Sequence, residues 1–174
     1  MNKILQREEK VLRQKAKEIP VPEITTPKIK KILKEMSLAL KSQNDGVAIA
    51  APQIGYSLQI FVVSGKIFHE NFMRGEILPK DAKIPKDLIF INPEISKLSR
   101  EKEWLPEGCL SVRWLYGQTQ RSKKATIKAY DENGKKFTRG ASGLLAQIFQ
   151  HETDHLKGIL FIDKAKNIKE ELPR

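Results

Sequence analysis

The chain has 174 residues, with 32 Lys+Arg against 21 Asp+Glu, a formal net charge of +11, one cysteine and three histidines. One cysteine excludes an internal disulfide, and with it a disulfide-stapled secreted scaffold and any Cys-rich zinc finger. At 40% hydrophobic and 30% charged residues, the composition is that of a globular protein, and the length suits one domain over 1–174 with a substantial core.

The opening MNKILQREEKVLRQKAKEI places a charge every two or three residues. It lacks the apolar run of a signal peptide or spanning helix, so a cytoplasmic protein without membrane contact is expected. The surplus of lysine has two readings, a solvated surface or a contact surface for a polyanion. The lysines are spread along the chain and aromatic residues do not interleave with them, which favours the first.

Around Ile19-Pro20-Val21-Pro22 the chain reads as extended-to-turn, because the residue before a proline is pushed out of the helical region. A helix is predicted over 26–43, with Thr26 as N-cap, Pro27 at the first helical position, and Ile29, Ile32, Leu33, Met36 and Leu40 on one stripe. Residues 46–55 are small and apolar with proline and glycine punctuation, suited to a backbone that passes close to something else. Strands are predicted over 58–63 and 88–92, and the charged segment 64–87 between them as a long surface loop. Alternation over 125–130, the Asn133-Gly134 turn and a return strand over 135–138 predict a hairpin. Ser142-Gly143 opens a second helix that runs through Leu144, Leu145, Ile148, Phe149 and Leu156 and stops at Gly158. The order gives an α+β fold: short mixed or antiparallel strand groups packed around one central helix.

That second helix carries His151-Glu152-Thr153-Asp154-His155, an HExxH sequence. Residues four apart share a helix face, so two imidazoles can converge on one ion while Glu152 reaches an adjacent position. Leu144, Ile148, His151 and His155 follow at intervals of four, three and four, so the histidines continue the apolar stripe and point inward. The alternative is a helix whose histidines serve core hydrogen bonds or surface charge. Two histidines leave a catalytic metal short of a third protein ligand. His69 lies in the charged loop and reads as a bystander. Cys109, in Glu107-Gly108-Cys109-Leu110-Ser111, is better placed: its thiolate completes a Cys-His-His set with a fourth position open. A lone cysteine is otherwise an inert, buried small hydrophobe.

Three segments together resemble those of peptide deformylases: the small apolar run ending in Gln53, EGCLS at 107–111, and QHETDH at 150–155. They stand in the family's order and at similar separations, with weaker similarity over most of the chain. The resemblance implies a peptide-deformylase-like fold in which Cys109, His151 and His155 bind one divalent ion. Fe(II) is the family's usual ion, with zinc or nickel able to take its place. It also implies Glu152 as general acid/base, and Gln53 with the backbone N–H of Leu110 as donors to the oxyanion. The reaction is then removal of the formyl group from nascent formyl-methionyl peptides. Further implied are a pairing of Asp154 with Arg121, Val47 and Leu144 as walls of the methionine pocket, and Ile148 near the metal. Backbone groups at Gly46 and just after Cys109 are then the ones to pair with the peptide. Asp154 has a local alternative in Lys157, and Gln53 in capping nearby backbone groups.

The chain departs from the family pattern at several points. Ala48 stands where a second glycine is usual, and Arg113-Trp114-Leu115-Tyr116 follows Val112 where many members have a proline, so Trp114 and Tyr116 either flank the cleft or pack on an edge strand. The 64–87 insertion is long, and the tail after Asp163 is shorter than the C-terminal helix of several members. Two other readings are an HExxH metallopeptidase, which needs a further ligand such as Asp163 downstream, and a basic ribosome- or RNA-binding module. A monomer is expected, and a substrate emerging from the ribosome makes the ribosome surface a candidate partner.

Overall fold

The structure is a computed structural model that describes residues 3–73, 76–79 and 81–172. Helix α1 spans Pro27–Lys41, and Ile29, Ile32, Leu33, Met36 and Leu40 are all buried on its inner face. Helix α2 spans Gly143–Leu156. The strands are β1 (Ala48–Ala50), β2 (Ile60–Val63), β3 (Leu88–Leu98), β4 (Lys102–Gly108), β5 (Leu115–Ser122), β6 (Lys124–Tyr130), β7 (Lys136–Ser142) and β8 (Lys166–Glu170).

They form a five-stranded sheet in the order β1-β2-β3-β6-β7 and a three-stranded sheet in the order β4-β5-β8. Every strand pair in both sheets is antiparallel; among the described residues, parallel pairing is confined to an isolated Lys17–Leu58 bridge. Helix α1 covers one face of the larger sheet, through Ile32 and Met36 packed with Ile49, Ile60 and Ile91. Helix α2 packs on the other, where Phe149 meets Phe90 edge-on at 5.2 Å and Phe90 stacks on Phe61 at 4.6 Å. On its opposite side α2 is tied to β5: Gln150 accepts the Ser122 amide at 2.9 Å and donates to its carbonyl at 2.9 Å. The α2 helix is therefore held between the two sheets, the central helix of an α+β fold.

The helices and the hairpin lie within a few residues of their expected places, and the differences have physical causes. Strand β3 continues past Pro93 to Leu98 because the missing N–H is absorbed in a bulge. The register shifts between Ile91 and Glu94, and Asn92 adopts φ 49° while its side chain takes both the amide and the carbonyl of Ile19. Gly158 follows α2 at φ 74°, where a Cβ would lie 2.6 Å from the Arg13 carbonyl oxygen; no other residue fits that approach. The tail after Asp163 turns back as β8 and pairs with β5. In the 64–87 segment a single 3₁₀ turn at Gly65–Phe68 precedes the loop, pinned where the Gly65 amide donates to Asp87 at 3.0 Å; its residues 74, 75 and 80 lie outside the described ones. Among the described residues, no helix is long and apolar enough to cross a membrane.

Candidate metal centre and cleft

Strand β4 ends at Gly108 and the chain turns at once through Cys109–Val112, closed by the Val112 amide on the Cys109 carbonyl. This turn sets Cys109 against α2, where His151 and His155 stand one helical turn apart. The Cys109 Sγ lies 3.2 Å from His155 Nε2, and one donor atom from each of Cys109, His151 and His155 falls within 4.8 Å of the others. A thiol and two imidazoles at that spacing fit a zinc- or iron-type cation with one position left for a small ligand. His69 is elsewhere, in its exposed loop, accepting the Asn71 amide.

What lies behind the cluster orients it. Burial would raise the Glu107 carboxyl, but hydrogen bonds from Arg121 and His151 outweigh it and hold the group down at about 2. An ionised carboxylate only accepts, so the 3.0 Å contact with His151 Nδ1 requires the proton on Nδ1 and leaves Nε2 free for the cluster. Arg121 grips Glu107 with two bonds, Nε at 2.7 Å and Nη2 at 2.9 Å, and gives Nη1 to Asp154 at 2.7 Å. Lys164 closes the chain on Asp154 from the far side at 2.9 and 3.1 Å. The Asp154 carboxylate is thus engaged by Arg121 and Lys164, while the local alternative Lys157 meets Asp154 through its backbone amide on the Asp154 carbonyl. At His151, burial is outweighed by the hydrogen bonds to Cys109 and Glu107, which raise it well above the ordinary range, whereas burial and the facing His151 lower His155.

Glu152 is also fully buried, and burial pushes its carboxyl up to about 7. Its Oε2 has no hydrogen-bond partner among the described residues. A carboxyl raised toward neutral pH with an unengaged oxygen is suited to take up and release a proton.

Gln53, 1% exposed, divides its two functions. Its Oε1 accepts the Ala50 amide at 2.8 Å, the local capping role, while Nε2 points to Ser111 Oγ at 3.1 Å and to the Cys109 Sγ at 3.6 Å. The Leu110 carbonyl accepts from Gln6 at 3.0 Å, and its amide has no partner among the described residues. Two N–H donors are therefore set beside the Cys109–His151–His155 cluster.

A cleft of about 830 Å³ opens from this point. Gln53, Cys109, His151 and Glu152 lie along it with Val47, Leu144 and Ile148 as apolar wall. Gly46 lines it as well, but its amide is spent on Gln43, which leaves its carbonyl for a partner. Tyr116 lines the cleft and its ring covers Gly108, where a Cβ would meet it at 2.6 Å. Trp114 is not part of the lining; its carbonyl accepts from Glu171 and its ring lies under the Arg113 guanidinium at 4.6 Å. Arg113 itself reaches across to Asp45, both at the cleft's edge. Glu107 carries no role that the sequence alone reveals, its only signal being the two-residue spacing from the cysteine. Gln147, which donates to Pro106 and Glu107, carried no signal at all. Asp163 is bound to Arg13 and the Leu160 amide, so it offers no downstream ligand to the histidine pair.

The family model for polypeptide deformylase matches residues 1–171. The chain is 40% identical over 167 residues to a peptide deformylase of Carboxydothermus hydrogenoformans, covering 95% of this chain and 94% of that one. Among solved structures, peptide deformylase from Thermotoga maritima superposes with a TM-score of 0.79 at 31% identity, covering 95% and 98% of the two chains. A Met-Ala-Ser-bound class I type b peptide deformylase from Acinetobacter baumannii gives 0.78 at 30% identity, over 92% and 96%.

Proposed function

Because the chain belongs to the peptide deformylase family, we propose that its cleft takes the N-terminus of a formyl-methionyl peptide and that Cys109, His151 and His155 hold one divalent ion at the formyl group. The chain is an enzyme, a metal-dependent deformylase of nascent peptides. The observation that carries the assignment of residues is the convergence of one thiol and two imidazoles beside a buried, proton-poised glutamate at the head of a peptide-sized cleft.

Bound there, the ion supplies a nucleophile at neutral pH by lowering the pKa of a water from about 15.7 toward about 7. Glu152 Oε2 accepts the proton released in the attack and passes it to the departing amine, which leaves only when protonated. As the formyl oxygen gains charge, Gln53 Nε2 and the Leu110 N–H donate to it; single oxyanion donors elsewhere are worth about 3 kcal/mol. Val47, Leu144 and Ile148 receive the methionine side chain, and the Gly46 carbonyl and the backbone after Cys109 hold the peptide extended. Glu107 fixes the His151 tautomer, and Arg121 with Asp154 ties α2 to β5 so that both ligand elements keep their register.

Fe(II) is the ion we assign in the cell, with zinc or nickel able to fill the same donors. We take the chain as a single catalytic domain, monomeric and cytoplasmic, working at the ribosome surface where its substrate emerges. The test is amine release from formyl-Met and acetyl-Met peptides by the Ni(II)- or Fe(II)-loaded protein. Release from the formyl peptide alone is expected; activity on neither, at full metal content, overturns the reading.

A further inference from the structure

We propose that the outer face of the β4-β5-β8 sheet is a binding surface for single-stranded RNA, with Trp104 as its stacking platform. The proposal deepens the assignment of the ribosome as partner and rests on it only for its setting; the metal chemistry plays no part.

The register defines the face. Lys102, Trp104 and Pro106 of β4 stand opposite Ser122, Gln120 and Gln118 of β5, and Lys166 and Lys169 of β8 stand opposite Gln118 and Tyr116. Side chains alternate along β4 and β5, and the register shift between Tyr116 and Gln118, with Asn167 at φ 53°, brings Lys166 and Lys169 of β8 to that same side of the sheet although they are three residues apart. The burial pattern agrees along the middle of the ladder: Lys102, Trp104, Pro106 and Gln120 are exposed, whereas Glu107, Thr119 and Arg121 are buried on the side that faces α2; Ser122 at the ladder's end is buried, and Gln118 and Tyr116 are half-buried where the face meets the cleft. Trp104 is 44% exposed, and Lys166 Nζ lies 4.7 Å from its ring centroid.

Charge complementarity points to a polyanion. Lys102, Lys166 and Lys169 share the face with Trp104 and two glutamines. The acidic residues of these strands fall elsewhere: Glu103 and Glu107 alternate to the opposite side, and Glu170 stands opposite Leu115 there. An exposed indole beside cations and amide side chains suits a base stacked on the ring, with phosphates on the lysines and base edges on Gln118 and Gln120. A single exposed indole among lysines and glutamines gives a lipid surface little to bury. Sequence spacing hid this surface, because Trp104 and Lys166 are 62 positions apart and meet only through β5.

The test is fluorescence anisotropy of a labelled 12-nucleotide oligouridine with the metal-loaded protein, beside sedimentation with phosphatidylserine-containing vesicles. Trp104→Ala is expected to weaken RNA binding about tenfold, from a stacking contribution of about 1–3 kcal/mol per base. Lys102→Glu/Lys166→Glu is expected to weaken it further and to reduce the slope of log K against log salt by about 1.4, roughly 0.7 per phosphate contact. Lys30→Glu/Lys34→Glu, the same charge change on the exposed side of α1, is expected to leave binding within about twofold. All three variants should keep the parent rate on a short formyl peptide. Equal losses from the two charge reversals, unchanged affinity in Trp104→Ala, or binding to vesicles but not RNA overturns the proposal. Loss of RNA binding with deformylation intact separates it from the catalytic reading.

Discussion

Glu107→Gln probes the part of the site that orients the proposed metal ligands. The carboxylate is 2% exposed and meets donors on both oxygens: Arg121 Nε on Oε1, and Arg121 Nη2 with His151 Nδ1 on Oε2. A glutamine of the same shape must turn its NH₂ toward one of these N–H groups whichever way it is flipped, and it leaves Arg121 with one charged partner instead of two. Breaking a buried pair in this way costs about 3–5 kcal/mol. The same contacts expressed through the pKa correspond to a similar figure: a carboxyl held at about 2 rather than 4.5 amounts to about 3 kcal/mol at neutral pH. Because the folded-state value is depressed, that stabilisation is complete above about pH 4.5 and is lost as pH falls through about 2. The variant should therefore melt roughly 6–20 °C lower at pH 7, with the gap closing between pH 4.5 and 2. Metal affinity, read by competition with a chelator, should fall about 10–100-fold as His151 loses its fixed tautomer. A loss under about 1 kcal/mol together with unchanged chelator competition would refute the reasoning.

Cys109→Ser should lose more metal affinity than the roughly 10–100-fold expected from a residue behind the ligands, since a hydroxyl is a harder and much less acidic donor; retained metal and rate would remove Cys109 from the ligand set. Gln53→Ala should lower kcat about 10²-fold with little change in KM, the signature of a donor used in the transition state; a rise in KM alone would place it in ground-state binding. Glu152→Gln should abolish turnover while metal is retained. In the chelator-treated protein it should also stabilise: a carboxyl raised to about 7 opposes folding increasingly from pH 4.5 to 7, so the variant gains up to about 3 kcal/mol at pH 8 and nothing below pH 4.5. A pH-independent difference in denaturant unfolding would sink that account.

How far the fold is legible from sequence depends on where each element gets its stability. Helix α1 is written in its own residues, because Ile29, Ile32, Leu33, Met36 and Leu40 recur at the helical period and all face the core. The β6-β7 hairpin is equally local, with its turn residues Asn133 and Gly134 between two strands in direct register. Strands β4, β5 and β8 lack such a record. All five residues of β8 are exposed, and Lys-Asn-Ile-Lys-Glu has little β propensity. It is a strand because β5 offers it an unpaired edge, which no local window contains.

The site divides along the same line. His151, Glu152 and His155 are legible because one helix sets their spacing, and Cys109 because the chain has no other thiol. Glu107 becomes legible only once β4 and β5 pair: register places Glu107 opposite Gly117 and Arg121 opposite Glu103, so the two side chains lie on the same inner face, four pairs apart in the ladder but joined by a long guanidinium stem. Arg121 then spans from that face to Asp154 on α2. A charge that would be costly to bury alone is tolerated because four groups from three elements neutralise one another: Glu107, Arg121, Asp154 and the imidazole of His151. Since removing any one leaves the others buried without their partner, the strand pairing and the metal-ligand geometry are parts of one cooperative unit, and substitutions within it should show coupled rather than additive losses.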